Sequence, residues 1–303
     1  RGRVLWIQRH DQDALRAINA YVSAAQADKA LALAKLYAAR LQDDPAILDL
    51  AAKLALANNQ PGQAGHYYAE LLRLSQDGLD KRRYAKLVLT ALTATGQVDE
   101  ALAAAGRFIE MFPGNLELLS VAVKLARAGN RTRLAQLWGR ALLARNPNNP
   151  KLIAQQISIE LAAGDTAAAL ELARRLIELQ PDRIEPRERL AQISLWVGQP
   201  QTALEQWAYL ALHLNYFKHL EPAIRMAPQL SDLETLAQLL ALKARRGRLT
   251  NPQLISLVDT FEAIGEPEQL VGILAGYVER HPDHREAWLA LADEHERRGD
   301  LKA

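Results

Sequence analysis

Two histidines three positions apart, His281 and His284, come closest in this sequence to the spacing of a metal site. Glu294 and His295 follow on the same stretch of chain and could add two more ligands. Their spacing nevertheless fits no zinc-binding motif. Pro282, between the two histidines, is typical of a turn between helices. We therefore expect exposed histidines in a turn and no bound metal.

Adjacent carboxylates can act together as a general acid and a general base. The pairs at 43–44 and 99–100 lie in turns or at predicted helix starts, where a negative charge interacts favourably with the helix dipole. No glycine-rich phosphate loop follows a strand, because no segment has the pattern of a strand. The sequence thus indicates no catalytic residue, no metal ligand and no cofactor, and we predict that the chain is not an enzyme.

A small or apolar residue recurs at a step close to 34 residues, usually five positions after a short turn. Its successive steps are 34, 37, 33, 35, 34, 33 and 34 residues. A period near 34 in a chain rich in strong helix formers is typical of stacked helical hairpins. We name these positions the anchor residues: Ala30, Ala64, Ala101, Leu134, Ala169, Ala203, Leu236 and Leu270.

The period predicts an all-α fold, an α-α superhelix of about eight hairpins followed by a terminal helix. Within the third repeat we predict helices over residues 81–94 and 98–111, with Gly96 in the turn and Pro113 ending the second helix. Residues 1–10 are predicted to be a leading segment and residues 11–303 the solenoid. The predicted repeats span 11–44, 45–78, 79–113, 114–148, 149–182, 183–215, 216–250 and 251–283, with a partial repeat at 284–303.

Two repeats depart from the pattern. An insertion around residues 75–80 lengthens one step to 37 residues. The repeat at 216–250 has Pro222 inside its first helix, Pro228 at its turn and Lys243 at an apolar position. We expect irregular packing there, which is either a binding feature or the drift of an unselected repeat.

The charge of the chain is uneven along its length. Residues 1–150 contain 20 Lys and Arg against 13 Asp and Glu, whereas residues 151–303 contain 17 against 22. Such polarity indicates a partner recognised partly by electrostatics, or a solvated charged face. The basic residues are dispersed and the pI is near 8.8, which argues against nucleic acid as a partner. The chain has no cysteine, hence no disulfide, and no apolar run long enough for a membrane helix.

These repeats resemble the tetratricopeptide repeat. Gly96, Ala101, Phe108 and Pro113 match the turn, second helix and end of that motif, and Trp288 matches the start of its first helix. The resemblance implies that the first helix of each repeat lines a binding groove. It also implies core positions for Trp138, Trp207 and Trp288, and leaves Trp196 and Trp6 as candidates for contact with a partner or a sugar. The candidate partner-binding residues are Arg83, Lys86, Arg127, Arg131, Arg133, Arg140, Glu185, Glu188, Gln192 and Trp196.

Over its full length the chain is also similar to the periplasmic repeat region of Pel-type outer-membrane proteins that export exopolysaccharide, in repeat turns such as 129–134 and 198–203. The resemblance implies a periplasmic scaffold that recruits a polysaccharide deacetylase or hydrolase to the outer-membrane pore and assists export. It implies membrane attachment through a barrel outside this segment, and we expect the chain to be part of a longer protein. Cellulose- and alginate-export scaffolds share this architecture. The alternatives are a conduit that binds the carbohydrate directly and a general adaptor between proteins.

Overall fold

The computed structural model describes residues 2–40 and 43–299, with side chains from residue 13 onward. These residues form seventeen α-helices, one short 3₁₀ helix and no strand, so the predicted all-α fold of repeated hairpins is confirmed. The helices fall into two compact units, α1–α9 and α10–α17. The first unit contains α1 (Gly2–Ser23), α2 (Ala27–Arg40), α3 (Pro45–Ala57), α4 (Pro61–Leu74), α5 (Gly78–Ala94), α6 (Val98–Met111), α7 (Leu116–Ala128), α8 (Thr132–Arg145) and α9 (Pro150–Ala162). The second contains α10 (Thr166–Leu179), α11 (Ile184–Trp196), α12 (Pro200–His213), α13 (Leu220–Met226), α14 (Leu233–Arg246), α15 (Asn251–Ile264), α16 (Pro267–Arg280) and α17 (Arg285–Arg297).

Odd-numbered helices are the first helices of the hairpins and even-numbered helices the second. The turn inside each hairpin contains one residue in the left-handed region. Glycine adopts this conformation without a Cβ penalty, and asparagine tolerates it better than most residues. The residues at this position are Ala25, Asn59, Gly96, Asn130, Gly164, Gly198, Ser231 and Gly265.

The anchor residues lie five positions after these left-handed residues, on the first turns of the even-numbered helices. Seven of the eight predicted anchors are buried, with at most 3% of their surface exposed. The assignment of Leu134 as the fourth anchor is wrong. Counted from Asn130, the fourth anchor is Ala135, which is 2% exposed, whereas Leu134 is half-buried. With Ala135, the two neighbouring steps become equal.

The predicted insertion is an extra helical turn. Helix α5 has 17 residues, whereas α3 and α7 have 13 each. It begins at Gly78 rather than at the predicted Lys81, because the Asp77 carboxylate caps it by accepting the N–H groups of Leu79 and Asp80 at 2.9 and 3.0 Å. Helix α6 has the predicted bounds.

The hairpin that follows α12 is irregular, as predicted. Helix α13 has seven residues and continues into a 3₁₀ helix at Ala227–Leu230. Pro222 is tolerated because it lies in the first turn of α13, where backbone N–H groups have no helical acceptor. Lys243 is largely buried and pairs with Glu221, and burial lowers the pKa of its ammonium group.

Each unit has its own hydrophobic core, formed in the first by residues of α1–α9 and in the second by residues of α11–α17. None of the helices in the described part of the chain has the length and apolar content needed to cross a bilayer.

Gly139 on α8 allows a close approach between helices. A Cβ at this position would lie 2.1 Å from Oε1 of Gln156, a side chain that is 2% exposed. We expect Gly139→Ala to displace Gln156 and to lower the free energy of unfolding by about 1–2 kcal/mol. Urea denaturation would measure this change.

Gly106 on α6 is the matched control, since a Cβ there has no neighbour within 4 Å. Gly106→Ala should be neutral or stabilising by up to about 1 kcal/mol. Equal destabilisation by the two substitutions would contradict the packing role of Gly139.

Candidate functional site

Basic side chains line the first helices of three successive hairpins in the first unit. Two of the predicted residues are joined to neighbouring helices by ion pairs. Arg83 on α5 lies 3.8 Å from the Asp49 carboxylate on α3, and Lys86 on α5 lies 2.8 Å from Glu117 on α7. Lys53 pairs with Asp49 as well, at 2.5 Å. These contacts place the exposed sides of α3, α5 and α7 on one surface.

Lys124 and Arg127 extend this surface along α7. Lys124 follows Glu117 by two helical turns and therefore lies on the same side of the helix. Both basic side chains are exposed, and neither forms an ion pair with any residue of the described ranges. We name this surface, formed by Lys53, Arg83, Lys86, Lys124 and Arg127, the basic face.

Three further predicted arginines lie on α8, the second helix of a hairpin, or directly before it. Arg131 precedes α8 and pairs with Asp99 at 2.7 Å. Arg133 is exposed on α8. Arg140 pairs with Glu160 on α9 through two hydrogen bonds of 2.7 Å. The predicted basic residues from Arg127 to Arg140 are therefore divided between α7 and α8, and two of them, Arg131 and Arg140, are paired with carboxylates of neighbouring helices.

Glu160 is the centre of a buried polar cluster. Its carboxylate is 1% exposed and also accepts hydrogen bonds of 2.6 Å from the side-chain amides of Gln136 and Gln156. Burial raises the pKa of Glu160, but the hydrogen bonds from Arg140, Gln136 and Gln156 outweigh this effect, so the pKa lies below its ordinary value. The cluster holds α8 against α9 with its charge satisfied.

The predicted residue Glu188 on α11 forms hydrogen bonds with other residues of the same chain. Its Oε1 atom lies 2.9 Å from each of the Tyr216 hydroxyl, the Lys218 ammonium and Nε2 of His219. His219 stacks on Trp207 with the ring centroids 5.0 Å apart. Burial raises the pKa of Glu188, but the hydrogen bonds from Lys218, His219 and Tyr216 outweigh this effect, so the pKa lies below its ordinary value. This carboxylate fixes the segment that leads into α13.

The remaining predicted residues of α11 are exposed. Glu185 pairs with Arg189 one turn later at 3.1 Å. Gln192 is exposed, and Trp196, the last residue of the helix, is 60% exposed. Their participation in binding stays a prediction, as it does for the basic residues. The side chain of Trp6 lies outside the described residues.

The structure also contains a groove that the sequence analysis missed. It lies between α15 and α17 and has a volume of about 320 Å³. Two aliphatic side chains in its lining are strongly exposed, Ile255 by 60% and Leu289 by 54%. Asp259 and Asp293 lie one turn after them on the same two helices. Ile255 and Leu289 lie 34 residues apart, as do Asp259 and Asp293, so the repeat period places these residues at equivalent positions of the two helices.

The aromatic predictions are partly correct. Trp138 and Trp207 are buried, with 6% and 7% exposure. The core assignment of Trp288 is wrong, because this side chain is 47% exposed and its indole N–H donates to the carbonyl of Pro282.

The prediction of exposed turn histidines is wrong for His284, which is 2% exposed. The Tyr277 hydroxyl, 2.8 Å away, donates to its Nδ1, and its Nε2 donates to Oδ1 of Asn251 at 3.0 Å. The same hydroxyl accepts the backbone N–H of Leu249 at 2.9 Å. Within the described residues no group of three or more histidine or acidic side chains is arranged to hold a metal ion.

No protein-family model matches the sequence, and no curated protein matches it. Many solved structures resemble the fold at low sequence identity. A chain in the structure of Naa15/Naa10 bound to HypK-THB is 13% identical, and the alignment covers 83% of this chain and 39% of that one with a TM-score of 0.51.

Two bacterial proteins align less closely in space. A tetratricopeptide repeat protein from Parabacteroides merdae is 12% identical, with 84% of this chain and 99% of that chain covered and a TM-score of 0.45. MamA from Desulfovibrio magneticus RS-1 is 15% identical, with 54% and 90% covered and a TM-score of 0.42. The chain has a tetratricopeptide-like all-α fold of repeated helical hairpins.

Proposed function

We propose that the chain is a non-catalytic scaffold that binds a protein partner through the exposed sides of its odd-numbered helices. We further propose that it belongs to a periplasmic exopolysaccharide export machine. There it recruits a polysaccharide deacetylase or hydrolase to the outer-membrane pore and assists export of the polymer. The resemblance of the sequence to Pel-type export proteins supports this role in export.

The basic face on α3, α5 and α7 supports the proposal that the chain binds a protein partner. It presents five basic side chains, accompanied by the carboxylates of Asp49 and Glu117. Because Lys124 and Arg127 form no ion pair within the described ranges, a partner can pair with them without breaking an internal contact. Charges of this kind steer association and make it sensitive to salt. We infer that the recruited enzyme presents an acidic surface.

The test compares the wild type with Lys124→Glu/Arg127→Glu in binding to the deacetylase or hydrolase of the same export machine. The affinity should fall at least about tenfold in the double variant at physiological salt, a loss of about 1.4 kcal/mol. Lys29→Glu/Arg40→Glu is the matched control, because both residues are exposed on the even-numbered helix α2 and the charge change is equal. The control should bind within about twofold of the wild type.

Absence of binding by the folded wild type would overturn the export proposal. Equal binding by the wild type and the α7 variant, with circular dichroism unchanged, would overturn the assignment of the basic face.

Direct binding of carbohydrate is the second candidate function, and the exposure of Trp196 favours it. Indole rings that project into solvent beside polar groups such as Gln192 offer an apolar surface for sugar rings. Oligosaccharide at millimolar concentration should then change the tryptophan fluorescence of the wild type and leave that of Trp196→Phe unchanged. A flat titration of the wild type would rule out this candidate.

A further inference from the structure

We propose that the groove between α15 and α17 binds a segment of a partner protein that carries an aliphatic side chain flanked by lysine or arginine. The inference rests on the proposed function, since it assumes that the chain binds proteins. It adds a second contact, on the second unit, with a chemistry opposite to that of the basic face.

The floor of the groove is apolar. Leu254 is buried beneath it, Val258 and Ala290 are half-buried, and the side chains of Ile255 and Leu289 project from the two helices. Covering two large aliphatic side chains that are more than half exposed is favourable by roughly 25 cal/mol for each Å² removed from water. The groove therefore favours an aliphatic side chain of the partner.

The rim of the groove is acidic. Asp259, Glu286 and Asp293 are exposed along it, and the two aspartates form no ion pair with any described residue. Arg297 is the basic side chain of the lining, and it pairs with Glu262 and with the buried carboxylate of Glu294. The charge left on the rim is thus negative, which selects a cationic partner segment and disfavours anionic lipids and nucleic acids.

The spacing of the carboxylates sets the spacing of the cations. Asp259 and Asp293 occupy equivalent positions on two neighbouring helices, and the axes of packed helices lie about 8–10 Å apart. An extended chain advances about 3.3 Å per residue, so two or three residues span this distance. We expect a bound segment with two basic residues two or three positions apart and an aliphatic residue between or beside them.

The probe is a random peptide display library selected on the purified wild-type chain. Enriched peptides should contain the basic–aliphatic–basic pattern, and a synthetic peptide of the enriched sequence should bind at least about tenfold more weakly to Asp259→Lys/Asp293→Lys. Ile255→Ser/Leu289→Ser should weaken binding similarly without changing the rim charge. Glu234→Lys/Glu268→Lys, on the exposed sides of α14 and α16, is the matched control and should bind within about twofold of the wild type.

Enrichment of acidic or purely apolar peptides, or of none, would overturn the inference. So would a concentration-dependent dimer of the wild type that is lost in Asp259→Lys/Asp293→Lys, since the occupant would then be a second copy of the chain. These outcomes are independent of enzyme recruitment. If the wild type captures the enzyme and selects no basic peptide, this inference alone fails. If the wild type selects basic peptides and does not capture the enzyme, the export proposal alone fails.

Discussion

Arg140→Ala is expected to lower the free energy of unfolding by about 3 kcal/mol. The substitution removes two charge-assisted hydrogen bonds from the carboxylate of Glu160, which is 1% exposed and cannot recover the lost donors from bulk water. The amides of Gln136 and Gln156 remain as donors, so the protein should still fold. Urea denaturation at neutral pH measures the change.

The same cluster predicts a dependence of stability on pH. The pKa of Glu160 is lowered in the folded state, so its contribution is present above the pKa of an unfolded glutamate, about 4.3, and is lost as the pH falls through the folded value. The wild type should therefore lose more stability than Arg140→Ala as the pH falls below about 4.3, the pKa of an unfolded glutamate.

The control is Arg174→Ala. Arg174 pairs with Glu171 at 3.1 Å, but that carboxylate is 73% exposed. An exposed pair contributes about 0–1 kcal/mol, so this variant should stay close to the wild type at every pH. If Arg140→Ala and Arg174→Ala behaved alike, the burial of Glu160 would not have the energetic role assigned to it.

Tyr277→Phe should cost about 2–3 kcal/mol, although it removes a single oxygen atom. The hydroxyl accepts the N–H of Leu249, which precedes α15, and donates to Nδ1 of the buried His284 at the start of α17. Without it, two buried polar groups lose their partner, and each unsatisfied group costs about 1–3 kcal/mol. Thermal or urea unfolding at neutral pH measures the loss.

Tyr68→Phe is the matched control for Tyr277→Phe. The Tyr68 ring is equally buried, at 2% exposure, but its hydroxyl has no hydrogen-bond partner among the described residues. We expect a change within about 0.5 kcal/mol. A similar loss of unfolding free energy in both variants would show that the hydrogen bonds of Tyr277 do not stabilise the positions of α15 and α17.

Much of the fold is predictable because the repeat period is carried by buried residues and turns. The one register error is the anchor at Leu134, which lies one residue before the buried Ala135. The turn residue Asn130 was the better marker, because its left-handed conformation fixes the start of α8. The extra turn of α5 was harder to foresee, because the residues around Asp77 are compatible both with a helix cap and with a loop.

The candidate site was less predictable, because residue type does not reveal whether a charge is already paired. Glu188 and Arg140 were expected to be available to a partner, yet each is bound within the fold. Conversely, Ile255 and Leu289 look like core residues in the sequence and are exposed. Which side of a helix faces its neighbours depends on packing between repeats that lie about 34 residues apart, and composition alone does not encode it.

We propose that the exposed sides of the odd-numbered helices bind the partner protein. Site-specific photocrosslinking tests it directly, with a benzoylphenylalanine placed at Lys124 or Arg127 on α7 and, for comparison, at the exposed Arg107 on the even-numbered helix α6. Irradiation in the presence of the polysaccharide deacetylase or hydrolase should link the enzyme from positions 124 and 127 and not from 107. Crosslinks from position 107 with none from α7 would contradict the claim.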